Sequence, residues 1–177
     1  MNTDAQALTR PSEPPASTRR RVPLLDRSTG VFLACAGVLI VAGGAVAAVN
    51  SAAPFAHGSW LAAYLVLVGG VSQGVLGAGR LALHVPPLTR ALSPAQLMLW
   101  NVGSLAVPAG VLGDAPTLVT AGSVALLCAL ALFAAEARGV RRELRGRAVV
   151  YLAIVVGLAA SVVIGSALAD AAPGAWL

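Results

Sequence analysis

The side chains best suited to chemistry are spread along this 177-residue chain in a way that keeps them from acting together. Bis-histidine haem ligation needs two histidines at one depth on facing helices. His57 and His84, the only two histidines, stand at opposite ends of one apolar run, a bilayer apart if that run crosses a membrane. His84 and Met98 share a side and have donors that suit copper or haem, but methionine inside an apolar run is more often a packing residue. Cys35 and Cys128 both lie inside apolar runs and read as small hydrophobes packed between helices. No nucleophile elbow, Cys-x-x-Cys pair, phosphate loop, zinc-binding His-Glu-x-x-His or pair of intramembrane aspartates is found. The expectation is a protein with no catalytic, cofactor-binding or metal-binding residues, and not an enzyme.

The elements that would carry these residues are legible from where charge is missing. All twelve basic residues are arginines, and they fall before or between five runs at residues 30–49, 59–79, 95–113, 117–135 and 148–169. None of the runs contains Asp, Glu, Lys, Arg or His, and each approaches the roughly 20 apolar residues that a hydrocarbon layer requires. A hydrophobic content of 58% beside 11% charged residues lies far from soluble domains, where about a quarter of residues are charged. The fold expected is all-α: a polytopic transmembrane helical bundle of five spans. The net charge of +5 belongs to connections rather than to a folded basic face, so nucleic acid is not expected as a partner. The lipid bilayer is.

The arginines also orient the chain. Arg10, Arg19, Arg20, Arg21 and Arg27 precede the first run; Arg80 and Arg90 separate the second from the third; Arg138, Arg141, Arg142, Arg145 and Arg147 separate the fourth from the fifth. With five spans these segments share one side, which the positive-inside rule makes the cytoplasm. The N-terminus is then cytoplasmic and the C-terminus outside, in a cell (inner) membrane. Glu136 is expected to pair with Arg138, Arg141 or Arg142 in an exposed arrangement of little energetic weight.

Residues 1–27, rich in Pro, Ser and Thr, read as a disordered cytoplasmic tail, residues 28–170 as the bundle and residues 171–177 as a short outer tail. Arg19-Arg20 before an apolar run resembles a twin-arginine signal, but Pro23 and Asp26-Arg27 interrupt it and the run is long for a signal core. Ser93 with Pro94 and Gln96 suggests a capped start for span three. Pro108 should bend that span, whose lower apolarity also allows a re-entrant path. Trp60, Tyr64, Trp100 and Trp176 read as interfacial anchors.

Helices in lipid associate through small residues and polar contacts. Gly70 and Gly74 in span two, and Ala153, Gly157, Ser161 and Gly165 in span five, stand four apart and mark packing faces. Their partners are helices of the same chain or of another. Gln73 and Asn101 both lie about 9–10 Å inside the same boundary, counted at 1.5 Å per residue, and are expected either to bond across helices or to line a polar path. The run from Trp60 through Tyr64 and Gly69-Gly70 to Gln73, with Trp100-Asn101 and Gly103, resembles a group of small uncharacterised integral membrane proteins of actinobacteria. That resemblance covers residues 57–135 and implies no activity. The function expected is a non-catalytic accessory, assembly or interaction subunit with a membrane-protein partner or a second copy; the alternative is a small transporter or channel component acting as an oligomer.

Overall fold

Long runs of Ala, Val, Leu and Gly in hydrocarbon must satisfy every backbone N–H and C=O within the segment, which the helix does. The computed structural model describes residues 27–83, 92–138, 140 and 142–171, and every regular element among them is helical. Helix α1 spans Arg27–Ala52 and α2 Gly58–Leu83. Helix α3 spans Leu92–Leu112, α4 Pro116–Arg138 and α5 Arg145–Ala171, the last entered through a 3-10 turn at Arg142–Leu144. All five are long and apolar enough to cross a membrane. The five-span all-α bundle expected from sequence is therefore present. Of the tail expected at residues 1–27, Arg27 opens α1; residues 1–26, together with His84, Arg90, Arg141 and Trp176, lie outside the described residues.

Successive helices run in opposite directions. The end of α2 (Arg80) and the end of α4 (Glu136) meet the start of α1 (Phe32) and the start of α5 (Tyr151). Each interior face follows helical spacing. On α4 the buried set is Gly122, Ser123, Leu126, Ala129, Leu130, Phe133, Glu136 and Ala137, a stripe with the three-and-four rhythm of a helix packed on one side. The α1 stripe of Phe32, Ala36 and Leu39 packs on α2. A second close seam joins α3 to α4, where Gly103 lets the backbones approach: a Cβ there would lie 2.8 Å from the carbonyl oxygen of Gly122.

Helix α2 is not regular. Leu65–Ser72 is wound as a π-helix, and Ser72 Oγ donates to the carbonyl of Leu67, five residues back, at 2.8 Å. The segment packs closely on α1 and also reaches α3. Its wider turn resets the register, so that Gln73, Leu76, Gly77 and Arg80 of the following α-helical part all enter the core. At the far end of the α1–α2 hairpin Asn50 ties the turn, donating from Nδ2 to Ser59 Oγ at 3.1 Å and accepting from the Phe55 N–H at 3.2 Å. His57 occupies a left-handed conformation there, with φ 63°.

Helix α3 is continuous, with a buried Pro108 inside it, so a re-entrant path is not adopted. It begins at Leu92, two residues ahead of Pro94, the first helical residue that a Ser93 cap implies, and a shift of one or two residues at a helix terminus is ordinary.

Candidate functional site

Two of the charges assigned above to connections lie inside the bundle. Helix α2 runs on to Leu83 and α4 to Arg138, which carries Arg80 and Glu136 into the last turns of two packed helices. Arg80 Nη2 donates to Glu136 Oε1 at 3.3 Å and Arg80 Nε lies 3.2 Å from Oε2, with the two side chains only 4% and 2% exposed. The expectation that Glu136 pairs in an exposed arrangement with Arg138, Arg141 or Arg142 is thus corrected. Helical spacing places Glu136 three residues beyond Phe133 on the interior stripe of α4, whereas Arg138 stays at the surface.

Aromatic rings close around the pair. The Arg80 guanidinium carbon is 5.7 Å from the Phe32 ring centroid and 6.0 Å from that of Phe133, distances at which the ring quadrupole attracts a cation. Phe133 packs edge-on against Phe32 at 5.6 Å and against Trp100 at 6.4 Å. Tyr151 of α5 covers the remaining side: its ring fills the space left by the missing side chain of Gly79, and its hydroxyl donates to the Leu76 carbonyl at 3.5 Å. The ion pair therefore ties α2 to α4 at the arginine-bearing end, while the rings that enclose it come from α1, α3, α4 and α5. Burying two charges costs several kcal/mol per ion before their attraction offsets it, so such pairs inside a membrane are functional candidates by default.

A set of uncharged polar groups extends from this pair. Gln96 of α3 reaches toward the Glu136 carboxylate, its amide stopping short of good hydrogen-bond geometry. Trp100 and Ser104 follow at four-residue steps on the same face of α3, and Gln73 stands seven residues before Arg80 on α2. All four are buried, and the polar atoms of all four side chains lack a hydrogen-bond partner among the described residues. Leaving such a group dry costs about 1–3 kcal/mol.

Of the residues singled out by sequence, Gln73 is in this set and Asn101 is not. Asn101 is half-buried and donates from Nδ2 to the Leu97 carbonyl of its own helix at 2.8 Å, so no Gln73–Asn101 bond forms. The helix turns about 100° per residue, and α3 directs the larger Trp100 inward, leaving Asn101 on the flank. Trp100 is accordingly a core residue and not an interfacial anchor, in contrast to Trp60, which is exposed and stacks on Tyr64 at 5.2 Å.

The small-residue faces divide in two. Gly70 and Gly74 look onto α1: a Cβ at Gly70 would overlap the Ile40 side chain and lie 3.1 Å from the Ala36 carbonyl oxygen, and one at Gly74 would touch the Ala36 Cβ at 3.8 Å. Gly157, Ser161 and Gly165 point away from the bundle, and a Cβ at either glycine would meet nothing within 4 Å. Gly30, Gly37 and Gly44 on α1 are equally open, a seven-residue repeat that sequence reasoning passed over beside the stronger four-residue lines. Cys128 likewise faces outward, while Cys35 is half-buried.

Among the described residues no three His, Cys, Asp or Glu side chains come together. Comparison with protein-family models, with curated proteins and with solved structures gives no match.

Proposed function

We propose that the protein is a non-catalytic subunit of the cell membrane that works by helix-to-helix association with a neighbouring membrane chain, the N-terminus cytoplasmic and the C-terminus outside. The carrying observation is the outward line Ala153, Gly157, Ser161 and Gly165 on α5. A side chain facing lipid gains nothing by being small. A flat row of glycine and serine gains when another helix backbone lies against it, because association in a bilayer rests on close packing and not on hydrophobic exclusion. Helices α1 and α5 are the two least covered by the rest of the chain, and both present open glycines.

The test is purification of the C-terminally tagged protein from its own membrane in mild detergent, beside Gly157→Leu and Ser161→Leu. A stoichiometric partner or a homo-oligomer that both substitutions release, with the melting temperature of the isolated chain not lowered, is the expected result. A monomer in the unsubstituted protein overturns the proposal. A second reading, passage of a small polar solute through an oligomer, draws support from the burial of Gln73. Under it Gln73→Leu abolishes flux into proteoliposomes and leaves association intact.

A further inference from the structure

Gln73, Gln96 and Ser104 have no accessible surface and Trp100 has 1%, yet both polar atoms of each carboxamide, the indole Nε1 and the serine Oγ lack a partner among the described residues. Buried polar groups are almost always satisfied by protein or by ordered water, and hydrocarbon on the outside of the bundle offers no alternative. Gln96, Trp100 and Ser104 line about 12 Å of one face of α3 at 1.5 Å per residue. Gln73 immediately follows the π-helical segment that packs against α3, and π turns of this kind recur at functional sites.

The chemistry of the set defines its occupant. Arg80 and Glu136 lie 3.2 Å apart and cancel one another, so the region has no net charge with which to hold an ion. The carboxamides and the hydroxyl both donate and accept, and the indole donates. An apolar occupant would leave all of them unmatched, whereas a molecule that donates and accepts in equal measure matches them.

We propose that Gln73, Gln96, Trp100 and Ser104 form a buried site for ordered water, extending from the Arg80–Glu136 pair toward the middle of the bundle. A buried water needs two to four polar partners to hold it in place, and the two carboxamides, the hydroxyl and the indole are the groups that would supply them. The site is independent of the association surface on α5. It gives the interior a polar thread where sequence hydropathy shows only an apolar span.

Radiolytic footprinting tests this, because a short X-ray pulse makes hydroxyl radicals from water where it sits and oxidises the side chains touching it. The full chain carrying Trp60→Phe and Trp176→Phe retains Trp100 as its one tryptophan. Trp100 should be oxidised at least tenfold faster, after correction for intrinsic reactivity, than Leu126 and Leu130 in the adjoining core. Adding Gln73→Leu and Gln96→Leu should lower that rate at least fivefold. Trp100 oxidation no faster than that of the core leucines overturns the proposal, and this comparison needs no substitution in the core. A rate unchanged in a folded Gln73→Leu, Gln96→Leu protein also overturns it, since the water would then not depend on those carboxamides.

Discussion

The Arg80–Glu136 pair shows how far one residue's environment departs from its composition. Hydropathy counts both side chains as marks where an apolar run stops, because neither tolerates hydrocarbon alone. Together, wrapped by Phe32 and Phe133, they are accommodated inside. A usable signal was available: Arg80 stands seven residues after Gln73, on the same face, and Glu136 continues the stripe through Leu126, Leu130 and Phe133. Spacing would have found them where hydropathy could not. Because desolvation is the main cost of such a pair, removing one partner should hurt more than removing both. Arg80→Met and Glu136→Leu are each expected to destabilise the purified protein by about 3–5 kcal/mol, while the double variant should lose less than the larger single effect. Thermal unfolding in detergent, arranged as a double-mutant cycle, measures this. Simple additivity would mean that the pair contributes no coupling.

At the scale of elements, the five helices were legible because the bilayer imposes length and apolarity directly, and those are properties of sequence. Which face of each helix turns inward was less so. Gly70 and Gly74 followed the small-residue rule and do meet α1. The line through Gly157 and Gly165 has the same spacing and meets nothing among the described residues, since spacing records that a helix can be approached and not by what. The π-helical segment Leu65–Ser72 left no trace in hydropathy at all. Yet it sets the register that brings Gln73 inside. Two glycine substitutions should separate packed from open faces by sign. Alanine exceeds glycine in helix preference by about 1 kcal/mol, so Gly157→Ala, at an open position, should raise the stability of the isolated chain by up to that amount. At Gly103 the new methyl meets the Gly122 carbonyl oxygen at 2.8 Å, and a backbone atom cannot rotate aside. Gly103→Ala should therefore lower stability by about 1–3 kcal/mol, the usual cost of overpacking. Parallel melting curves of the two proteins decide it, and a loss at Gly157 or a gain at Gly103 would contradict these packing assignments.

For the whole molecule, the burial of Arg80 changes the basis of orientation. Topology follows the arginines of short flanking segments, and an arginine neutralised by Glu136 inside the bundle contributes little to that bias once folded. The exposed arginines on the same end, Arg138, Arg142, Arg145 and Arg147, surround the connection between α4 and α5 and are free to act on membrane potential and anionic lipid. The opposite end, with Asn50, His57 and Asp114, has no arginine among its described residues. Two kinds of arginine therefore stand at one end, one buried in packing and one exposed, the second being the set that the proposed orientation assigns to placement. On the proposed orientation, which puts the C-terminus outside, a C-terminal alkaline phosphatase fusion should be active and a fluorescent-protein fusion dark. Replacing Arg138, Arg142, Arg145 and Arg147 together by glutamine should give a mixture in which a measurable fraction of the fluorescent fusion lights up, because the last span then loses its nearest cytoplasmic anchor. Arg80→Gln should leave both reporters unchanged even as it lowers stability. A topology shift on Arg80→Gln equal to that of the four-residue replacement would show that Arg80 acts in placement before it is buried, and the division of labour between the two sets of arginines would fall.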